Sequence, residues 1–483
     1  MSSLSRQLVA RWASLGPRFL PFADAASPDL PLPRLLRLSL FQVAVGMALA
    51  LLVGALNRVM IVELGVPAGL VAVMVSLPVL WAPARALIGF RSDHHRSALG
   101  WRRVPFMWMG TLLQFGGLAL MPFTLLVLAG KGDSAQWPTW VGQAGAGVAF
   151  LLVGAGLHTT QTAGLALATD LAPRASHPKV VGLMYVMLLA GTMGSAFVFG
   201  WFLSEFTPGR LVQVIQACAL ATIVLNTVAM WKQEPRRPTS RAVRASTPAE
   251  PEFLLAWRAY VRHEAVRRRL AAVALGTMGF AMQDVLLEPY GGQVLGMTVG
   301  QTTWLTALMA LGGLLGFGTA SRVLGRGAAD AASLSLAGAA LGLPAFVAIV
   351  VAASTQSTWL FAMGVVLVGL GGGIFAHGTL TLTMNLAAPD QVGLALGAWG
   401  AVQATSAGLA VAVGGIGRDV MGALAAQGYF GPALATPATG YAAVYIVEFA
   451  LLLATVVALR TLSSGDCLAP AAWPALQPSK AVE

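Results

Sequence analysis

The sequence has few charged residues and almost no cysteine. Asp, Glu, Lys and Arg make up 10% of its 483 residues, against about 25% in soluble domains. Its two cysteines, Cys218 and Cys467, exclude a disulfide-stapled secreted domain. The sequence also lacks a Gly-x-x-x-x-Gly-Lys-Ser/Thr loop and any metal-hydrolase or Ser-His-Asp signature. We therefore expect a protein that is not an enzyme and has no ATPase of its own.

Apolar residues take the place of the missing charge and form 57% of the chain. They are enough for twelve runs of about 20 residues, the length of a helix that crosses a bilayer. Because lipid offers no hydrogen bonds to the backbone, these runs are predicted to be helices, and we expect an all-α integral membrane protein. A soluble enzyme, a disordered protein and a nucleic-acid-binding protein are excluded. The predicted spans lie near 37–57, 66–90, 104–129, 141–168, 180–203, 210–231, 270–290, 301–324, 331–353, 358–386, 392–416 and 439–461.

The basic residues predict the orientation of the chain. With both termini in the cytoplasm, 26 of the thirty lysines and arginines fall on the cytoplasmic side. The four on the other side are Arg58, Lys131, Arg210 and Arg418. This bias follows the positive-inside rule and predicts cytoplasmic N and C termini.

A polar break divides the spans into six and six, and the two halves are weakly similar. The block 167–172 (LATDLA) recurs as 382–387 (LTMNLA), on the same side of the membrane. Two parallel six-helix halves joined by a cytoplasmic linker predict the major facilitator fold. The predicted regions are a cytoplasmic segment 1–36, a first half 37–231, a basic linker 232–269, a second half 270–462 and a cytoplasmic tail 463–483.

The loop between the second and third spans resembles the loop motif of that superfamily. It contains Asp93 and the basic pair Arg102 and Arg103, which stands about four residues later than usual. The second half has Ala320 in place of the acid. These departures argue against an ordinary alternating-access cycle, whereas an ion-pair latch formed by Asp93 in the first half remains open.

The candidate functional residues are the polar groups inside the spans, which are costly in lipid. They are His158 and Gln161 in the fourth span, Asp284 and Glu288 in the seventh, and His377 in the tenth. One interpretation is hydrogen bonding between helices, at about 0.6 kcal/mol each. The other is a ligand site, in which a neutral imidazole ligates the metal of a large ring.

Other features have structural interpretations. An ion pair between Arg58 and Glu288 would join the two halves. Three glycine pairs favour close helix contact: Gly312 and Gly316, Gly369 and Gly373, Gly393 and Gly397.

The linker carries a basic amphipathic stretch. It places Trp257 among basic residues that include Arg258 and Arg262. The pattern predicts a helix on the inner membrane surface, in contact with lipid. The alternative is a solvated charge run that only enforces topology.

The chain resembles one known family over residues 34–462, and the resemblance is strongest in three blocks. They are the loop 89–105, the fourth-span segment 161–173 (QTAGLALATDLAP) and the seventh-span segment 282–292 (MQDVLLEPYGG). On these blocks the chain is identified as a member of the PucC/LhaA family, the bacteriochlorophyll delivery family of the major facilitator superfamily. The family comprises assembly factors for light-harvesting complexes in the intracytoplasmic membranes of purple phototrophic bacteria.

The resemblance implies a protein that binds or delivers bacteriochlorophyll and chaperones antenna polypeptides. Its implied partners are the light-harvesting α and β polypeptides, the reaction centre and bacteriochlorophyll synthase, with the core antenna favoured over the peripheral one. His158 or His377 would ligate the pigment magnesium, while Gln161, Asp284 or Glu288 would hydrogen-bond its substituents. The competing hypothesis is a secondary transporter of an amphipathic solute, coupled to protons through Asp284 or Glu288.

Overall fold

The described part of the chain consists of helices and their connections. A computed structural model describes residues 30–80, 85, 88, 92, 100–128, 137–173, 176–235, 261–386 and 392–463. Residues 1–29 of the predicted segment 1–36 and residues 464–483 of the predicted tail 463–483 lie outside these ranges, as do Asp93, Trp257 and Arg258. No strand occurs in the described ranges, which confirms the predicted all-α class.

Twelve apolar helical segments follow one another in two sets of six. The first six are Leu32–Glu63, Ala68–Leu80, Val104–Leu128, Thr139–Leu171, His177–Phe202 and Pro208–Met230. The seventh is broken into Glu264–Ala281, a 3₁₀ turn Met282–Val285 and Leu287–Leu295, with a bend of 47°. The last five are Val299–Gly325, Ala331–Thr355, Thr358–Asn385, Val392–Ala426 and Pro437–Ser463.

Ten helices in the described ranges are long and apolar enough to cross a membrane individually, and the bent seventh pair makes an eleventh. The second span is described without interruption from Ala68 to Leu80, and its apolar stretch Ala68–Pro78 is shorter than these. The chain is thus a multi-pass membrane protein, as predicted.

Side-chain caps define where several spans begin. An N-cap oxygen accepts a hydrogen bond from a backbone N–H of the first turn and satisfies one of its unpaired donors. The eighth span has a full capping box, in which Thr298 and Gln301 bond to each other's backbone N–H. The other capping residues are Thr207, Asp330 and Ser357.

The two halves contact each other closely at one of the two ends of the bundle. We call the end where the first span begins the basic side, and the opposite end the far side. At the far side, a Cβ on Gly300 of the eighth span would lie 2.6 Å from the carbonyl oxygen of Gly200 in the fifth. The N–H of Gly69, in the second span, donates to Asp419 of the eleventh at 2.6 Å. The fifth span therefore packs on the eighth, and the second packs on the eleventh.

Glycines also allow close contact within the second half. A Cβ on Gly312 would clash with the carbonyl oxygen of Val366, and one on Gly369 with that of Met309. The predicted contact role is confirmed for the pairs that contain these two glycines. The side-chain surroundings of the third pair, Gly393 and Gly397, lie outside the described residues.

Polar contacts hold the first half together at the basic side. Arg102 and Arg103 both pair with Asp170 at the end of the fourth span, at 2.6 and 3.0 Å. Arg103 is only 5% exposed and also donates to Ser92 at 2.6 Å. The carboxylate of Glu234, just after the sixth span, accepts from the backbone N–H groups of residues 102–104 at 2.6 to 3.0 Å. It caps the start of the third span, where a negative charge is favoured.

These contacts give the predicted basic pair a structural partner. The acid that both arginines bind in the described residues is Asp170, while the predicted partner Asp93 lies outside them. Near the start of the seventh span, Arg262 is exposed at the basic side.

Candidate polar site between the two halves

A cation and four neutral polar side chains form a group in the first half. Arg85, in the second span, donates from Nε to Thr162 Oγ1 and from Nη2 to Gln161 Oε1, both at 3.2 Å. Gln161 in turn donates to Gln42 of the first span at 3.3 Å. His158, Gln161 and Thr162 share one face because they are three and four residues apart on one helix. Nδ1 of His158 is buried and has no hydrogen-bond partner among the described residues.

Aromatic rings connect this group to the second half. Tyr185 of the fifth span lies near Arg85. Its ring stacks on Phe317 of the eighth span, with centroids 6.4 Å apart and an angle of 25°. Phe317 meets His377 edge-on at 4.4 Å. The two predicted histidines therefore belong to opposite halves, and His377 packs against the Tyr185–Phe317 pair.

The break in the seventh span is held by side chains from two other spans. Pro289 has no N–H, so the carbonyl of Val285, four residues earlier, has no helical donor. Nδ2 of Asn57, in the first span, donates to that carbonyl at 2.8 Å. On the other side of the turn, the N–H of Gln283 donates to the Glu448 carboxylate of the twelfth span at 2.7 Å. Each of these two backbone groups is thus satisfied by a side chain.

Three carboxyl groups surround this break. Asp284 accepts from the Gln283 side chain at 2.6 Å. Glu288 is 1% exposed and accepts from Thr306 of the eighth span, while Glu448 is completely buried. One oxygen of Glu288 and one of Glu448 have no hydrogen-bond partner in the described part of the chain. Buried carboxyl groups are costly in a membrane, which makes this acidic group a functional candidate.

The predicted ion pair between Arg58 and Glu288 is not formed. Arg58 pairs with Glu63 at 2.5 Å and donates to the carbonyl of Met297 at 3.1 Å. The first span has π-type bonding here, in which the N–H of residue 64 bonds to the carbonyl of residue 59. This wider winding brings residues five apart onto one face, so Arg58 reaches the local carboxylate.

The residues that sequence reasoning missed include Arg85, Asn57 and Glu448. Arg85 contributes to the sequence argument only through the orientation count, and Asn57 and Glu448 belong to no motif of the sequence. A charge inside an apolar run is itself a signal for the two charged residues. For Asn57 the only signal was indirect, namely the carbonyl that Pro289 leaves without a donor.

The described side chains offer no ready-made metal centre. They contain no group of three or more His, Cys, Asp or Glu that could hold an ion. A metal carried by a ligand, as in a metal-containing ring, needs only one protein donor. His158 and His377 are the predicted donors of that kind.

Solved structures with a similar fold are transporters. A bacterial homolog of the human lysosomal transporter Spinster, in an inward-facing and unoccupied conformation, is similar with a TM-score of 0.64 and 16% identity. The match covers 89% of this chain and 97% of that one. At this identity the likeness shows the fold, which is the major facilitator fold predicted from the two six-span halves.

Sequence comparisons give the family. The chain is 58% identical to Protein PucC of Rhodovulum sulfidophilum, over 87% of this chain and 92% of that protein. It is 52% identical to a Rhodobacter capsulatus protein described as an uncharacterized protein in the puhA–bchM intergenic region, over 97% and 96%. A family model described as PUCC protein matches residues 55–466. The chain therefore belongs to the PucC protein family.

Proposed function

We propose that this protein acts in the assembly of bacterial light-harvesting antenna complexes, where it binds or delivers bacteriochlorophyll and chaperones the antenna polypeptides. Membership of the PucC family supports the antenna role. The structural observation that supports the pigment role is the arrangement of polar side chains in the two halves. His377 of the second half packs edge-on against Phe317, whose ring stacks on Tyr185, and His158 of the first half has a buried Nδ1 without a hydrogen-bond partner among the described residues.

The residues present fit a magnesium-containing ring. His158 has a buried ring nitrogen without a hydrogen-bond partner among the described residues, and a neutral imidazole is a common metal ligand. Gln161, Asp284 and Glu288 can hydrogen-bond polar substituents of the ring. The pigment is cargo here, and the part that this chain plays is to bind it and keep it from water. The proposal includes no catalytic step.

The proposed setting is the intracytoplasmic membrane of a phototrophic bacterium, with both termini in the cytoplasm. The bias of the basic residues supports that orientation. The proposed partners are the light-harvesting α and β polypeptides, the reaction centre, bacteriochlorophyll synthase and the surrounding lipids. Of the two antenna types, we propose the core antenna as the client.

The test of the antenna role is deletion and complementation in the native host. We expect deletion to lower the core antenna absorbance band more than the peripheral band, and the wild-type gene to restore it. Equal loss of both bands would contradict the core preference only. Unchanged bands would contradict the antenna role itself.

The test of pigment binding uses the double variant His158→Ala and His377→Ala. We expect the variant, purified gently from native membranes, to retain less bacteriochlorophyll than the wild type. His263→Ala is the matched control, because His263 is exposed at the basic side, away from the polar groups. Undiminished and correctly ligated pigment in the double variant would contradict the proposed ligands.

Proton-coupled transport of an amphipathic solute is the second candidate function. The observation that favours it is a group of three carboxyls beside a broken helix, namely the buried Glu288 and Glu448 and the half-buried Asp284. Broken spans beside buried charges are typical of secondary transporters. In proteoliposomes, an imposed pH gradient should then drive solute uptake in the wild type and fail to do so in Glu288→Gln.

A further inference from the structure

The second span contains an arginine whose bonding partners are neutral. Arg85 is half-buried in the second span, and in the described part of the chain it donates to the Gln161 amide oxygen and the Thr162 hydroxyl. No carboxylate in the described part of the chain lies within ion-pair distance of it. A charge at this depth is costly and usually marks a partner or a ligand.

The two arginines that the described residues bury most fully do have an acidic partner. Arg58 pairs with Glu63, and Arg103 pairs with Asp170. Each pair lies near one end of the bundle, at a turn or at the end of a span. Arg85 differs in both respects, because its neighbours are neutral and it contacts the polar group between the halves.

We propose that Arg85 binds the carboxylate of a large apolar ligand. The planar guanidinium matches a carboxylate and can bind it through two hydrogen bonds. Gln161 and Thr162 hold Nη2 and Nε, and so orient the guanidinium. The neighbouring rings of Tyr185 and Phe317 offer an apolar surface for the body of the ligand.

Two ligand sources share this chemistry. One is an unesterified tetrapyrrole, which carries a free propionate, and naming it rests on the proposed pigment function. The other is a fatty acid from the membrane. An esterified pigment has no carboxylate and would not depend on Arg85.

The test measures the affinity of three probes for purified protein in lipid nanodiscs. The probes are bacteriochlorophyllide, bacteriochlorophyll and oleate. Hydrogen bonds to a charged group contribute about 1.5–3 kcal/mol, so we expect Arg85→Gln to weaken the binding of bacteriochlorophyllide about 10- to 100-fold. Arg85→Lys, which keeps the charge and loses the two-point geometry, should lose less. Bacteriochlorophyll should bind Arg85→Gln and wild type equally.

Two controls keep the test interpretable. Arg210→Gln removes a cation that is exposed at the far side and paired with Glu205, and it should change none of the affinities. Size-exclusion profiles and thermal unfolding show whether each variant is folded. If Arg85→Gln does not fold, the comparison of Arg85→Lys with wild type decides.

The outcomes separate this inference from the proposed function. The inference is overturned if wild type and Arg85→Gln bind bacteriochlorophyllide and oleate equally well. It is also overturned if neither protein binds either of these two carboxylates. In both cases, binding of bacteriochlorophyll would still support the pigment role. Arg85-dependent binding of bacteriochlorophyllide but not oleate supports the inference with a tetrapyrrole ligand. Arg85-dependent binding of oleate, with no binding of either pigment, supports the carboxylate site and contradicts the pigment role.

Discussion

The two halves of this protein share a fold and differ in the charge that they carry inside the bundle. The polar group of the first half contains one cation, Arg85, bonded to neutral side chains. The second half contains three carboxyls around a broken helix, Asp284, Glu288 and Glu448. The two polar groups therefore differ in hydrogen-bonding character, because Arg85 donates to its neighbours and the carboxyls accept from theirs.

The halves also differ at the basic side. In the first half, Asp170 at the end of the fourth span binds both Arg102 and Arg103. The equivalent position in the repeat of the second half is Asn385, which is exposed at the end of the tenth span. The repeat thus preserves the helices but not the ion pairs. Similar halves can diverge in this way because span packing depends on small and apolar residues, and the charged contacts are added to it.

The largest expected effect comes from removing the carboxyl that satisfies the helix break. Glu448→Ala leaves the buried N–H of Gln283 without an acceptor and opens a cavity, which together should lower the free energy of unfolding by about 3 kcal/mol. Glu448→Gln retains an acceptor of the same shape and should lose less than about 1 kcal/mol. Unfolding by SDS titration in mixed micelles measures both variants. An alanine variant as stable as wild type would show that the backbone contact contributes nothing net.

A second prediction concerns the bond that crosses from the first half to the break. Asn57→Ala leaves the carbonyl of Val285 unpaired and should cost about 2 kcal/mol of unfolding free energy. Pro289→Ala restores an N–H four residues after that carbonyl. In a protein that already carries Pro289→Ala, Asn57→Ala should therefore cost less than about 1 kcal/mol of unfolding free energy. A double-mutant cycle on unfolding free energies measures this coupling. Additive costs would contradict the assignment of the free carbonyl to the proline.

The third prediction replaces the acid of the first half with the residue that the second half has. Asp170→Asn removes the charge opposite Arg102 and Arg103 and should cost about 1.5 kcal/mol, reduced because Asp170 is partly exposed. The matched change in the other half, Asn385→Asp, is at an exposed position and should change stability by less than about 0.5 kcal/mol. SDS unfolding of both variants gives the comparison. Equal effects in the two halves would show that the ion pairs do not distinguish them.

Much of the fold could be predicted from the sequence because it depends on local properties. Spanning length, apolar composition and the 232–269 break were sufficient for twelve helical segments in two halves. The glycine pattern also predicted close helix contact, because a glycine such as Gly312 signals close approach by itself, and the structure shows that this contact joins the eighth and tenth spans. These features need no knowledge of which distant side chain lies opposite.

The pairing of the polar groups could not be predicted in the same way. The partner of Val285 is 228 residues away in the chain, and nothing near Asn57 indicates that contact. The expected partner of Arg58 was also wrong, because π-type winding of the first span brought Glu63 within reach. Local patterns thus located the functional candidates, whereas their contacts depend on how distant spans pack.

The smallest effect is expected at a cap outside the membrane-spanning segments of the second half. Asp330 begins the ninth span by accepting a hydrogen bond from the N–H of Ser333 at 2.6 Å. Hydrogen bonds from the side chain and backbone of Ser333 hold the pKa of Asp330 below its ordinary value. A carboxyl pKa that is lower in the folded than in the unfolded state stabilises the folded state at pH values above the unfolded pKa. This contribution is lost as the pH falls through the folded pKa.

Asp330→Ala should therefore cost about 1 kcal/mol of unfolding free energy at neutral pH, and the difference from wild type should shrink toward acidic pH. Asp330→Asn keeps a capping oxygen without the charge, so its stability relative to Asp330→Ala should not change with pH. A loss that is the same at all pH values would show that the cap acts through its shape and not through its charge.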